Sequence, residues 1–175
     1  RLLVVDRNNG ITDSEFSSLC DYLREGDLLV MNNAKVVNAR VIFSRKSGAE
    51  IECVLAAAEE SPCRVMCNKT KKLKIGEVLV STKDSSVSVT VLGRKGEYLL
   101  VEPSEKFDAS CLERIGQIPL PPYIKRKPEN ADVDRYQTIY ASKSGSVAAP
   151  TAGLHFTDEI MYALTRKGIR QTGLR

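Results

Sequence analysis

The stretch SVSVTVLGRKGEYLLV, residues 86–101, decides the fold of the central part of this chain. Its first half alternates valine with serine or threonine, which is the two-residue period of a strand with one buried face. A turn at residues 93–96 leads into a second apolar run from Tyr98 to Val101, so the stretch predicts a β-hairpin. The same alternation recurs elsewhere in residues 41–102, without a convincing helix. We therefore predict a small antiparallel β-barrel over residues 41–102.

Helical patterns lie on both sides of this region. Thr12 and Glu15 have the spacing of a capping box before an apolar stripe, which predicts a helix that ends at Gly26. Ser104 can cap a second helix, and a last helix is expected to begin near Thr157.

A continuous apolar run at residues 28–31 predicts a buried strand next to the first of these helices. The whole pattern predicts a mixed α/β protein of the α+β type. Residues 1–40 and 103–175 then form an α/β domain, and residues 41–102 are inserted into it as the barrel.

The composition fits a globular protein without a membrane-spanning segment. Of the 175 residues, 42% are hydrophobic, which is enough to bury a core. The longest apolar run, residues 53–58, has 6 residues, whereas a membrane-spanning helix needs ~20. No signal peptide opens the chain, so we expect a cytoplasmic protein with no membrane partner.

Charge and cysteine usage set further bounds on function. Lys and Arg number 26 against 22 Asp and Glu, a net charge of +4 that permits an anionic partner without requiring one. The 5 cysteines are odd in number and irregularly spaced, which predicts free thiols in a reducing compartment and no metal site. His155 is the single histidine, so proton transfer by an imidazole has one candidate.

The segment VAAPTAGLHF, residues 147–156, is the strongest candidate for a ligand-binding loop. Its small residues and Gly153 let the backbone approach a ligand closely. The loop also runs into a predicted helix N-terminus, where free N–H groups favour anions. The alternative is a tight strand-to-helix turn in which His155 only packs.

Three other segments carry polar groups that suit ligand binding. The proline-rich residues 119–126 present Tyr123 beside cations, which suits base stacking and phosphate contact, or they form only a connector with a solvated basic end. Residues 134–140 form either a hydrogen-bonding site or the polar face of a strand or turn. The four lysines of residues 69–74 supply phosphate contacts, unless the run is only a solvated face.

Three strings in the second half of the chain resemble one enzyme family. They are GQIPLPPYI at residues 116–124, DRYQTIY at 134–140 and GSVAAPTAGLHFT at 145–157. Together with residues 26–40 and 71–76, their order and spacing resemble the S-adenosylmethionine:tRNA ribosyltransferase-isomerases of queuosine biosynthesis. The resemblance covers essentially the whole chain. Members of that family extend beyond both ends, so it implies an incomplete chain that is truncated at the C-terminal end of the α/β domain.

The resemblance implies a reaction and its partners. The ribosyl moiety of S-adenosylmethionine, used as co-substrate, is transferred to 7-aminomethyl-7-deazaguanine at the wobble position of tRNA and isomerised. The products are epoxyqueuosine, adenine and methionine. The implied partners are S-adenosylmethionine and the tRNA anticodon stem-loop, with no metal, and we expect a monomer. The competing interpretation is a non-catalytic tRNA-binding module that uses the basic barrel.

The resemblance also implies roles for individual residues. The candidates for catalysis are His155, Tyr123 and Asp134. The candidates for binding substrate and cofactor are Arg126, Arg135, Tyr136, Gln137, Thr151 and Gly153. The candidates for contact with the RNA backbone are Lys69, Lys71, Lys72 and Lys74.

Overall fold

The computed structural model describes residues 1–58, 60–68, 72–121, 123–126 and 128–174. The chain forms two compact units, which we call the terminal unit and the barrel unit. The terminal unit comprises Arg1–Lys35, Gln137–Lys143 and Ala149–Arg175, and the barrel unit comprises Val36–Tyr136 and Ser144–Ala148. Within the described residues, no helix is long and apolar enough to cross a membrane.

Short strands outnumber helices along the described chain. The strands are β1 (Leu2–Asp6), β2 (Gly10–Ser14), β3 (Leu28–Asn32), β4 (Ala34–Val36), β5 (Arg40–Ser44), β6 (Glu50–Ala57), β7 (Cys63–Cys67), β8 (Val78–Ser81), β9 (Ser88–Lys95), β10 (Tyr98–Pro103), β11 (Gly116–Gln117), β12 (Lys143–Ser146) and β13 (Arg170–Leu174). The α-helices are α1 (Ala109–Ile115), α2 (Asn130–Arg135) and α3 (Asp158–Arg166), and 3₁₀-helices span Phe16–Tyr22 and Thr151–His155.

Antiparallel strands of the barrel unit close into a ring. The strands β5, β6, β7, β10, β9 and β8 are hydrogen-bonded in that order. Phe43 and Ser44 of β5 then pair with Ser81 and Val80 of β8, which closes the barrel. The predicted mixed α/β class with a small antiparallel barrel is therefore confirmed. The bounds 41–102 for the inserted domain stay a prediction.

Side chains at alternating strand positions fill the barrel. Val41, Leu79 and Val101 are fully buried, and Phe43 is nearly so. Helix α1 belongs to the same core through its buried face, which includes Ile115. Burying such side chains stabilises the fold by about 1.5–3 kcal/mol each, and this is why the two-residue period of the sequence is so regular here.

The deciding stretch forms the predicted hairpin. β9 and β10 pair antiparallel from Lys95 opposite Tyr98 to Val89 opposite Pro103. A bulge between Leu100 and Val101 shifts the register by one residue. The shift bends the strand locally, as bulges do in small barrels.

Short elements build the terminal unit. β1 and β2 form an antiparallel hairpin, and β13 pairs with β3 in parallel. Helix α3 begins where the Thr157 hydroxyl accepts a hydrogen bond from the Ile160 N–H at 3.4 Å, and it buries Leu164 completely. Gly168 follows the helix with φ +74°. The last helix is therefore confirmed.

The other two predicted helices begin later than their apparent caps. Thr12 lies in β2, and the first helix is a 3₁₀-helix that follows Glu15 without a side-chain cap. The second helix begins after Asp108, whose carboxylate accepts a hydrogen bond from the Cys111 N–H at 2.9 Å. The Ser104 hydroxyl instead accepts one from the Ser88 N–H, also at 2.9 Å. Both predicted caps are wrong because strand pairing already uses these residues.

The predicted strand at residues 28–31 exists, but it is not buried on both faces. Leu28 and Val30 are 53% and 55% exposed, whereas Leu29 is half-buried. The continuous apolar run did not distinguish a one-sided strand from a buried one, because both faces carry apolar residues.

Truncating a barrel core residue should destabilise the barrel unit. Leu99→Ala removes a side chain that is 1% exposed, so the free energy of unfolding should fall by about 2–5 kcal/mol. Leu92→Ala is the matched control, because Leu92 lies on the adjacent strand at 41% exposure and its truncation should change that free energy by less than ~1 kcal/mol. Urea denaturation checks both. Equal losses for the two variants would contradict the described inward and outward faces.

Candidate functional site

The loop before α3 forms a single 3₁₀ turn over Thr151–His155. The Gly153 N–H donates to the Pro150 carbonyl at 2.7 Å, and the Phe156 N–H donates to the Gly153 carbonyl at 3.2 Å. Gly153 is buried, and a Cβ atom at this position would overlap the hydroxyl of Tyr140. The close approach of backbone and phenol therefore requires glycine at this position.

His155 belongs to a cluster of aromatic rings in the terminal unit. Its ring lies 5.3 Å from that of Phe16, centroid to centroid. Phe16 also makes an edge contact with Phe156 at 5.0 Å, and Phe156 makes another with Tyr140 at 5.6 Å. Such contacts fix ring orientation. His155 is nevertheless exposed, so its imidazole is held on an aromatic support while its nitrogens stay accessible.

Tyr140 joins this cluster to the polar part of the terminal unit. Burial raises the pKa of the Tyr140 phenol, and the neighbouring Thr138 side chain opposes that rise in part. The phenol therefore stays protonated at neutral pH and keeps a proton to donate.

Asn33 presents an unused acceptor nearby in the same unit. Its side-chain Nδ2 donates to the Ser142 hydroxyl at 3.1 Å, and its carbonyl accepts from the N–H groups of Ser142 and Lys143. The side-chain Oδ1 is buried and has no hydrogen-bond partner in the described structure. A buried acceptor of this kind is costly unless a ligand or water supplies a donor.

A pocket of about 160 Å³ opens beside Asn33. Its other lining residues are Met31, Tyr140, Met161, Gln171, Thr172 and Gly173. The volume is below the ~300 Å³ typical of sites that enclose a drug-sized ligand, so the described residues suit one part of such a ligand. Thioether and aromatic faces next to one free acceptor suit a flat or short apolar group that carries an amine.

The second group of predicted residues lies in the barrel unit. The Arg126 guanidinium donates to both carboxylate oxygens of Asp132, at 2.6 and 2.7 Å. The Glu129 N–H donates to the same carboxylate at 2.8 Å. The Arg126 guanidinium and these hydrogen bonds lower the pKa of Asp132 to about 2. Arg126 therefore helps to hold the turn that leads into α2.

The remaining predicted residues of this unit differ in exposure. Tyr123 is 72% exposed, and Asp134 and Arg135 are also exposed. Tyr136 is buried at 7% exposure, and its N–H donates to the Asp132 carbonyl at 2.9 Å. Tyr123, Asp134 and Arg135 thus offer free surface, whereas Tyr136 belongs to the packing around α2.

The predicted lysines are described only in part. Lys69 and Lys71 lie outside the described residues. Lys72 and Lys74 are exposed, and the Lys72 carbonyl accepts a hydrogen bond from Arg45 at 3.2 Å. Among the described residues, no cluster of three or more His, Cys, Asp or Glu side chains is arranged to hold a metal ion.

Residues 1–174 match the family model described as "Queuosine biosynthesis protein". The chain belongs to this family. Among curated relatives, it is 39% identical over 173 residues to the S-adenosylmethionine:tRNA ribosyltransferase-isomerase of Trichlorobacter lovleyi, covering 97% of this chain and 50% of that protein. It is 40% identical over 176 residues to the protein of the same name from Azoarcus sp., covering 96% of this chain and 48% of the relative.

The chain thus spans about half the length of the curated relatives it matches. A solved structure, the S-adenosylmethionine tRNA ribosyltransferase of Thermotoga maritima, matches with 25% identity and a TM-score of 0.39. That match covers 98% of this chain and 48% of the other.

In this queuosine biosynthesis family member, the structure groups the predicted residues by unit. Gln137, Thr151, Gly153 and His155 lie in the terminal unit, and the candidates from Tyr123 to Tyr136 lie in the barrel unit with Lys72 and Lys74. The roles of all of them stay predictions.

Sequence reasoning missed several residues of the candidate site. It gave no individual role to Asn33, Phe16, Tyr140 or Asp132. Tyr140 lies inside the segment 134–140, which the sequence analysis considered as a hydrogen-bonding site. The sequence did not indicate its contact with Gly153. The Arg126–Asp132 pair spans six residues across a turn, a spacing that no helical or strand period indicates.

The low pKa of Asp132 predicts a pH-dependent stability of the barrel unit. A carboxyl group whose pKa is lowered on folding stabilises the fold above its ordinary value of 3.8, and this contribution is lost as pH falls to about 2. Asp132→Asn should therefore lower the thermal unfolding midpoint at pH 7, and the difference from wild type should shrink between about pH 4 and pH 2. Asp134→Asn, two residues further along the same helix, is the control that should change little. A pH-independent difference would show that Asp132 does not act through its charge.

Proposed function

We propose that the full-length protein transfers the ribosyl moiety of S-adenosylmethionine to the aminomethyl group of 7-aminomethyl-7-deazaguanine at the tRNA wobble position and isomerises it. Epoxyqueuosine forms, and adenine and methionine leave. The observation that carries this proposal is the match to ribosyltransferase-isomerases at 38–40% identity over 96–97% of the chain. A protein that acts on tRNA would work in the cytoplasm, and we propose that it works as a monomer.

The pocket of the terminal unit supports a role in holding part of S-adenosylmethionine. Both the adenine and the methionine ends of this molecule carry an amino group, and the free Oδ1 of Asn33 is an acceptor for one. Met31 and Met161 supply apolar surface beside it. The pocket has room for only one end of S-adenosylmethionine. The rest of the binding site would come from the part of the full-length protein that this chain does not cover.

The chemistry requires a proton acceptor, a proton donor and the exclusion of water. The sulfonium acidifies the neighbouring C5′ protons, so a base must remove one, and departure of adenine is assisted by a proton. We assign proton transfer to His155, because its imidazole is accessible and its orientation is fixed by the Phe16 ring. Tyr123 and Asp134 remain candidates for orienting the substrate base from exposed positions.

The observation that would favour a non-catalytic tRNA-binding module is the exposure of Lys72 and Lys74 on the barrel unit. Several other cations of this unit face carboxylates instead. Arg45 binds Glu77 at 2.5 Å, and Arg40 binds Glu52 at 2.7 Å. The lysines therefore suit a supporting contact with the RNA backbone within the enzyme.

Product analysis tests the proposal. The full-length protein is incubated with S-adenosylmethionine and an anticodon stem-loop that carries the aminomethyl-deazaguanine base, and products are identified by mass spectrometry. Free adenine with the epoxyqueuosine nucleoside is the expected result. Release of S-adenosylhomocysteine would indicate methyl transfer, and bound RNA with intact cofactor would leave only the binding module.

Replacing His155 should impair the chemical step. His155→Gln in the full-length protein should lower kcat for epoxyqueuosine formation by ~10²-fold or more, since a positioned acid–base group contributes about that much. Tyr162→Phe is the control, because this exposed residue of the same unit should leave kcat unchanged. A His155→Gln kcat within about threefold of wild type would remove the proton-transfer role.

The exposed lysines should contribute to RNA affinity through charge alone. Changing Lys72 and Lys74 together to Ala should weaken binding of all tRNAs equally. The slope of log affinity against log salt concentration should become shallower by the amount that corresponds to the loss of up to about two phosphate contacts. Changing Lys46 and Lys95 to Ala removes the same charge from exposed positions of the same unit and serves as the control. Filter binding over a salt series checks this, and equal slopes for both double variants would exclude a specific role for the lysine segment.

A further inference from the structure

We propose that Cys53 and Cys67 form a reversible disulfide across the barrel wall, so that this pair of thiols is an oxidation site. The two residues lie directly opposite each other, Cys53 on β6 and Cys67 on β7. Both are free thiols in the structure. The proposal is independent of the proposed tRNA chemistry.

The hydrogen-bond pattern between β6 and β7 places these two residues at the shorter of the two Cα–Cα distances that occur in antiparallel strands. The Asn68 N–H donates to the Glu52 carbonyl at 3.0 Å, so the next pair along is hydrogen-bonded. Hydrogen-bonded and non-hydrogen-bonded pairs alternate in antiparallel strands, which makes Cys53 and Cys67 a non-hydrogen-bonded pair. Their Cα atoms are then about 4.5 Å apart, within the ~4.4–6.8 Å range of disulfides.

A second hydrogen bond supports this assignment. The Leu55 N–H donates to the Ala39 carbonyl at 2.9 Å, on the side of β6 that faces β5. Alternate residues of a strand direct their backbone groups to the same neighbour, so Cys53 also directs its backbone towards β5 and away from β7.

The thiols differ in access. Cys53 is 1% exposed, and contact with the Cys67 thiol, together with burial, raises its pKa. Cys67 packs against the same core but is partly exposed at the end of β7. A dissolved oxidant therefore reaches Cys67 first, and Cys53 is the thiol that resolves the adduct.

The exchange balances with a small disulfide such as oxidised glutathione as the oxidant. The Cys67 thiolate attacks one sulfur of the small disulfide, and one glutathione thiolate leaves. Cys53 gives its proton to water and attacks the Cys67 sulfur, and the second glutathione thiolate leaves. Two protein thiols become one disulfide, and the small disulfide is reduced to two thiols.

The third cysteine of this region is a matched control. Cys63 also lies on β7, but its opposite residue on the neighbouring strand is Val101. Its thiol lies 3.2 Å from the Glu60 carbonyl and 3.4 Å from the Ala58 carbonyl. The Cys63 thiol is therefore hydrogen-bonded to backbone carbonyls, and the residue opposite it on β10 is not a cysteine.

Peptide mapping of the full-length protein tests the proposal. Reduced protein is treated with oxidised glutathione, free thiols are blocked, and the protein is digested without reduction. The expected result is a peptide that joins Cys53 to Cys67, about 2 Da lighter than its two halves, and its loss on treatment with dithiothreitol. Cys63→Ser should leave this peptide at the wild-type yield, and Cys67→Ser should abolish it.

Three outcomes would overturn the proposal. They are a stable glutathione adduct on Cys67, a bridge from Cys53 to Cys63, or unmodified Cys53 and Cys67 under conditions in which the urea-unfolded protein is oxidised. The wild-type map decides the question even if a variant fails to fold, because it requires no substitution.

Discussion

The pairing of β5 with β8 is the constraint on which the barrel unit depends. Phe43 and Ser44 meet Ser81 and Val80 there, and this short contact turns an open sheet into a ring. Closure leaves no free sheet edges at this position, and it encloses the side chains of alternating strand positions. Val41, Leu79 and Val101 owe their complete burial to that enclosure.

A different constraint shapes the terminal unit. The absence of a side chain at Gly153 lets the 3₁₀ turn lie against the Tyr140 hydroxyl. Phe156 follows this turn and contacts both Tyr140 and Phe16. Phe16 completes the support beneath the imidazole. Packing therefore determines the conformation of this loop, and its exposed ring is that of His155, whereas Gly153 is buried.

Sequence patterns predicted those parts of the fold in which one period dominates. The alternation before Val91 predicted the hairpin, because only one strand face meets the core. The spacing of Thr12 and Glu15 was misleading, since Thr12 pairs with Val4 in a hairpin and only Glu15 adjoins the helix. The contacts of Tyr140 with Gly153 and of Arg126 with Asp132 join residues whose proximity depends on tertiary structure, so no local rule indicates them.

The sequence predicted which segments carry the candidate site residues, but it did not predict the contacts that these residues make. His155 was singled out because it is the single imidazole and lies in the loop of small residues, and its role stays a prediction. The acceptor of Asn33 was missed, because its lack of a partner is a property of the folded environment. The paired thiols were missed for the same reason, since residues 53 and 67 become neighbours only through strand register.

Tracing labelled ribose tests the proposed ribosyl transfer to tRNA. The full-length protein is given S-adenosylmethionine with ¹³C in its ribosyl carbons, together with tRNA that carries the aminomethyl-deazaguanine base. We expect that all of the ribosyl label enters the wobble nucleoside, and that no label enters when only the methyl carbon is labelled. Methyl label in the tRNA, or ribosyl label that stays in a small molecule while the tRNA remains unmodified, would contradict it.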